Sequence, residues 1–346
     1  MKAMKVKMAT MIHHQRGVSL VELMIALLLG TMLIGGVMGV FLSTQQTYRV
    51  NDSLNRMQDG FRIGFQLLTR DLRNAGSSGC TNNGRVVNVL AGNAWWADWG
   101  GSNFIAYDGD TVHPGVAFGT GKGERVAGTS AIQMMYSLSD GDEAIAITHQ
   151  PSGGNASFQI AAGANISQGD IIMVCDQSQS SIFQVSNITG SGGTNVIHNT
   201  GNTTIPGNCT NRLGFPGPDS CSASSGTNYV FPPNAVLSKF ESVSWFVGHN
   251  GRPQTGGRSL YRTSIEQGAV VIEEVIEGVA DVQFEFLLLG ASNFIATSAV
   301  PANRWIDVMS SRMTLTVESA HDNMTQDGKR LNRTIVHEVA LRNPVL

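Results

Sequence analysis

Charge is scarce in this chain. Asp, Glu, Lys and Arg make up 14% of 346 residues. Together with 40 glycines, so little charge fits a β-rich, loop-rich extracytoplasmic domain better than a helical bundle. Acidic residues are missing from the first 17 positions, which hold Lys2, Lys5, Lys7 and Arg16. Without that leader the formal charge moves from −3 (23 basic, 26 acidic) to −7 (19 basic, 26 acidic). A body of that sign, with no basic patch interleaved with aromatics, argues against a nucleic-acid partner. Cysteine is limited to Cys80, Cys175, Cys209 and Cys221, with no CxxC pair, so the spacing suits no common zinc module. No small-x-small cleavage site follows the first apolar run, which sets it apart from a cleaved secretory signal.

That apolar run is the chain's main feature. It extends from Val18 to Leu42, about 25 residues, long enough to span a bilayer as a helix. The basic leader before it predicts a cytoplasmic N-terminus, with the chain beyond about residue 43 in the periplasm. Glu22 sits near the start of the run. A carboxylate inside a membrane segment costs a few kcal/mol, so it is a functional candidate by default.

The stretch Arg16-Gly17-Val18-Ser19-Leu20-Val21-Glu22-Leu23-Met24 resembles the class III signal of type IV prepilins. The resemblance implies cleavage between Gly17 and Val18 by a prepilin peptidase on the cytoplasmic face, and N-methylation of Val18. It makes Glu22 the fifth mature residue, the family's hallmark, with a role in assembly. Val18 departs from the phenylalanine that most members carry there.

The helix should continue past the membrane run. Ser43 to Asp52 is polar and free of proline, and Leu54, Met57, Phe61, Phe65, Leu68 and Leu72 then recur at intervals of three and four. Arg56, Asp59, Arg62, Arg70 and Asp71 fill the other face, and Gly76 is the expected stop. From Val18 to Ala75 such a helix is roughly 87 Å long. Glycines 30, 35, 36 and 39 weaken its middle by about 1 kcal/mol each. They allow close packing in the membrane, or a stretch that unwinds on entry into a filament.

From Cys80 on, short β-type segments alternate with Gly/Asn/Ser/Pro clusters. Expected strands are Ala131–Ser137, Glu143–His149, Asp170–Asp176, Ser181–Ile188, Ala235–Val247, Ser259–Ser264, Val270–Ile276, Asp281–Leu289, Arg312–Ser319 and Thr334–Arg342. Thr189–Thr204 reads as an exposed loop or hairpin, and Val87 to Gly128 has no assignment. The fold class expected is α+β: a long N-terminal helix packed on an antiparallel β-sheet head of pilin type. The divisions are residues 1–17 as leader, 18–42 as membrane or filament-core helix, 43–78 as periplasmic amphipathic helix and 79–346 as head. Four cysteines allow three pairings. A Cys209–Cys221 staple across a Gly/Pro/Asn-rich loop is the expected local bridge, leaving Cys80 with Cys175.

Gly169 to Asp176, Ser181 to Val185, Leu260-Tyr261-Arg262, Glu277 to Phe284 and Val339 to Asn343 resemble the PilW group of minor pilins. The Glu277 and Val339 segments are shared with the J-type minor pseudopilins of type II secretion. The PilW resemblance implies a non-enzymatic subunit that joins other minor pilins to prime pilus assembly, at or near the tip. Its partners would be other minor pilins, the major pilin, the peptidase, the inner-membrane assembly platform and a tip adhesin. The rival roles are a type II pseudopilin or a membrane-anchored adhesive head.

Catalytic motifs fail on inspection. His337-Glu338 lacks the second histidine of HExxH, since position 341 is leucine. Gly119 to Gly123 lacks the features of a phosphate loop, and no GxSxG is present. No cofactor or metal is expected. Asp108-Gly109-Asp110 and Asp140-Gly141-Asp142-Glu143 are the places where calcium would bind if it did, although acid-glycine pairs are mostly turns. Trp95, Trp96 and Trp99 form either a satellite core under a loop or an exposed contact for a partner.

Overall fold

The computed structural model of the chain describes residues 17–80, 84–137, 144–151, 156–201, 204–320, 322 and 327–341. It divides into two compact units, Met1–Asp52 and Ser53–Leu346.

A single helix, α1, runs over Leu20–Asn74. In the first unit its side chains from Val18 to Leu42 are all exposed or nearly so. The apolar window has a mean hydropathy of 2.4, so the helix is long and apolar enough to cross a membrane. The glycines at 30, 35, 36 and 39 do not interrupt it.

In the second unit the helical periodicity is used for packing. Leu68, Leu72 and Ala75 are buried, with Met57, Phe61, Phe65 and Leu67 half-buried around them. Gly76 adopts φ +75, a conformation that glycine takes without penalty, and its N–H donates to Met135 O at 2.9 Å.

The strands, in chain order, are β1 (Val86–Asn88), β2 (Phe104–Tyr107), β3 (Ala131–Ser137), β4 (Ile145–His149), β5 (Ser157–Ile160), β6 (Ile171–Cys175), β7 (Ser180–Gln184) and β8 (Asn187–Thr189). There follow β9 (Asn195–Ile197), β10 (Val236–His249), β11 (Arg258–Glu266), β12 (Ala269–Glu277), β13 (Val279–Leu288), β14 (Ile295–Ala296), β15 (Val308–Glu318) and β16 (Asn332–Ala340). Among these strands, pairing is antiparallel except between β1 and β7.

The 14-residue β10 is the axis of the large sheet. Its first half pairs with β4 and β6, and its second half with β3 and β11. This strand therefore joins a region built from β4 to β9 to one built from β2, β3, β11 and β12. A second sheet, ordered β14-β13-β15-β16, shows the period-2 alternation that the sequence suggested, with Val282, Phe284 and Phe286 inward. The main core lies among α1, the β3/β10/β11 part of the large sheet and the second sheet. The architecture is α+β, a long N-terminal helix followed by a mostly antiparallel head.

One expected strand needs correction: Ser181–Ile188 is two strands, β7 and β8. Of the two forms expected for Thr189–Thr204, loop or hairpin, the hairpin is found, with β9 pairing β8. The region that lacked an assignment holds β1, β2 and a short helical turn at Trp95–Ala97.

Candidate functional site

The residues with a distinctive chemical pattern lie at the two ends of α1. At the N-terminal end, Gly17 has nothing within 4 Å of where a side chain would start, and Val18 is exposed. The helix begins at Leu20, with Leu23 N–H donating to Ser19 O at 3.1 Å. Glu22 therefore falls in the first turn, where free N–H groups favour a carboxylate. Exposed residues at Gly17 and Val18, and an acid one turn later, suit processing by an external enzyme.

At the other end the structure corrects the reading of Asp71. The polar face was its expected place, but its side chain is fully buried. It accepts hydrogen bonds from Arg262 Nε at 2.8 Å, Tyr136 Oη at 2.8 Å and Trp245 Nε1 at 2.9 Å. Burial works against the charge of Arg262, but the Asp71 carboxylate outweighs it and holds the guanidinium above its ordinary pKa. Burial and the same carboxylate raise the Tyr136 phenol well above its usual value. The helix is thus fastened to β3, β10 and β11 through one carboxylate. A signal for this was in the sequence: Asp71 is three residues after Leu68, in phase with the apolar face.

Disulfides pair Cys80 with Cys175 and Cys209 with Cys221, at Cα separations of 5.7 and 4.5 Å. The first links the segment just after α1 to β6. The second closes a 12-residue separation.

The tryptophan group is packed. Trp96 is buried with Leu90, Met135, Met173, Ile182 and Phe240. Trp95 and Trp99 are half-buried, against His113 and Phe240.

Asp108-Gly109-Asp110 is a self-capped turn. Asp108 Oδ1 accepts from Thr111 Oγ1 at 2.5 Å, Thr111 N–H at 2.9 Å and Asp110 N–H at 3.3 Å. The Thr111 hydroxyl in particular holds its carboxyl below the usual pKa. Next to it, fully buried Arg125 donates to the carbonyls of Tyr107, Asp108, Thr111 and Thr129. Burial lowers its pKa to about 10. Sequence reasoning missed this residue, which organises the loop between β2 and β3. Asp140 to Glu143 lie outside the described residues. Among the described residues, no group of three or more His, Cys, Asp or Glu could hold a metal ion.

The remaining motif fragments serve structure. His337 packs edge-on against Phe65, and Glu338 binds Arg312 at 2.8 Å. Gly121 N–H donates to the Glu124 carboxylate at 2.7 Å, which occupies the donor a phosphate would need.

Residues 12–38 match the family model of the prokaryotic N-terminal methylation motif. The match spans the leader's end, the Gly17–Val18 bond, Glu22 and most of the apolar run. It supports a protein of the type IV pilin or pseudopilin kind, with a structural role, a membrane-anchoring helix and processing by a prepilin peptidase. No curated protein matches the chain.

Proposed function

We propose that this chain is a minor pilin of a type IV pilus. It is cut between Gly17 and Val18, associates with other minor pilins in the inner membrane to prime assembly, and sits at or near the pilus tip with a major pilin below it and a tip adhesin as a further partner. Residues 18–42 hold it in the membrane and then in the filament core. Residues 43–78 and the head, from 79 on, face the periplasm and later the exterior. The chain performs no catalysis.

The observation that carries this reading is the methylation motif, with Gly17, Val18 and Glu22 in register at the start of one unbroken apolar helix. Cleavage leaves an ammonium group on Val18. In a bundle of apolar helices an unpaired carboxylate is costly, so Glu22 of one subunit pairs with the terminal ammonium of its neighbour. A buried pair of this kind sets register more than it adds stability. An uncut leader puts no charge there, which makes processing a precondition of assembly.

The intact mass of the protein from its host, with and without the peptidase, tests the first step. A chain starting at Val18 is expected when the peptidase is present, and a chain retaining residues 1–17 in those cells would refute the reading. Glu22→Gln tests the second step. It is expected to insert and be cut normally but to be recovered in sheared filaments at least tenfold less than wild type. Wild-type recovery would remove Glu22 from the mechanism.

A further inference from the structure

Among the described residues the large sheet ends at β12, which pairs only with β11. The helix meets Val275 and Ile276, where Gly60 and Gly64 approach. Arg252 binds Glu274 and Glu277, and a bulge in the pairing with β11 falls at Val275. The stretch before them, residues 269–273, is mostly exposed and reads Ala-Val-Val-Ile-Glu, with three β-branched residues and without proline, lysine or glycine. Val270 and Ile272 are 37% and 43% exposed. Native sheets normally blunt such an edge with lysine, proline, a bulge or a covering element, because its free N–H and C=O groups are a template for another strand.

The surroundings fix the charge of what fits. The hairpin itself holds Glu266, Glu273, Glu274 and Glu277 against Arg258 and Arg262; Arg262 is paired with Asp71, and Arg252 from the preceding loop binds Glu274 and Glu277. A cleft of about 570 Å³ at the start of β12 adds Asp170 and Glu241, against one cation, Lys239, which is tied to Asp170 at 3.3 Å. Ile171, Phe240 and Ile265 give the cleft an apolar wall. Two copies of this chain joined through β12 would set carboxylates against carboxylates.

We propose that β12 is a docking edge for an extended, basic segment of a different protein, which adds a strand to the large sheet and places lysine or arginine side chains over the acidic cleft. Main-chain hydrogen bonds supply the affinity in this mode, and side-chain pockets supply the choice of partner. The inference goes beyond the filament role, because any partner sharing the compartment could provide the strand.

The test uses the full chain in its host, with a photoreactive phenylalanine analogue in place of Ile272 or, as a control, in place of Ile306, an exposed residue away from β12. Irradiation at position 272 is expected to join the chain to a peptide of another protein, mapped by mass spectrometry to an extended segment with Lys or Arg within about two residues of the attachment. Adding Val270→Lys is expected to cut the yield at least tenfold, whereas Val270→Glu leaves it within twofold. Correct disulfides and protease resistance establish that both variants fold, and the mapped peptide needs neither of them. Attachment to a second copy, to a helix or to an acidic segment overturns the proposal. So do a yield at 272 no greater than at 306, and equal effects of the Lys and Glu variants. Cleavage after Gly17 and recovery in sheared filaments, scored in the same cells, report separately on the pilin reading.

Discussion

At the scale of single residues, Asp71 has the largest consequence for the fold. Its carboxylate accepts from a guanidinium, a phenol and an indole, all belonging to different strands of the large sheet. Removing one partner of a buried ion pair costs more than the pair was worth, because the other charge stays behind without compensation. Asp71→Ala is therefore expected to destabilise the head by about 3–5 kcal/mol in urea unfolding. Asp71→Asn keeps an acceptor oxygen for one or two of the three donors, so its loss should be smaller. Equal losses for the two variants would mean that the charge of Asp71 carries the whole effect and that the hydrogen bonds Asn retains add nothing. The Arg70 contact at 3.5 Å is partly exposed and contributes little by comparison.

At the scale of elements, α1 and β12 meet through the absence of side chains. A Cβ on Gly64 would lie 2.1 Å from Ile276 Cδ1 and 2.5 Å from its Cγ1, and one on Gly60 would lie 3.2 Å from Ile276 Cγ2. The two glycines, four residues apart, form a notch that receives Ile276. On helix propensity alone Gly64→Ala should stabilise by about 1 kcal/mol. In this notch overpacking reverses the sign, and a loss of about 1–3 kcal/mol is expected. Pairing it with Ile276→Val, which removes the nearest atom, should recover part of that loss, and a double-mutant cycle in urea measures how much. A stabilised Gly64→Ala would show that the helix stands further from β12 than the structure has it.

This notch also shows what sequence could and could not reveal. Helix α1 and the alternating strands of the second sheet were legible because one periodic pattern specifies each of them. The N-terminal motif was legible because its residues are consecutive. Asp71 was misplaced because charge was weighed above helical phase. Arg125 was invisible, since its partners are four backbone carbonyls, which leave no trace in residue identity. The β1 and β2 strands, of three and four residues, are too short to show a period.

At the scale of the whole molecule, two buried histidines tie stability to pH. His113 Nδ1 accepts the Gly115 N–H at 3.0 Å, and its Nε2 lies 3.0 Å from Ser244 Oγ, so the ring is held neutral. His198 packs against Phe158 and Phe183, and neither ring nitrogen has a hydrogen-bond partner among the described residues. Burial drives both from an ordinary 6.5 to about 3, with Arg125 adding to the shift at His113. Between those two values the unfolded chain binds protons at both positions that the folded chain refuses. Stability is therefore full above about pH 6.5 and falls as pH drops, by about 1.4 kcal/mol per pH unit for each histidine. Depressed carboxyls such as Asp108 and Glu277 act in the same direction at lower pH. His198→Phe keeps the aromatic packing and has no nitrogen to protonate or leave unpaired. It should match or exceed wild-type stability at pH 7 and resist acid better, by about 3 kcal/mol at pH 4.5. Urea midpoints at the two pH values decide the matter. If wild type and His198→Phe lose stability in parallel, His198 is protonated in the folded head, and the packing that excludes water from it must open on acidification.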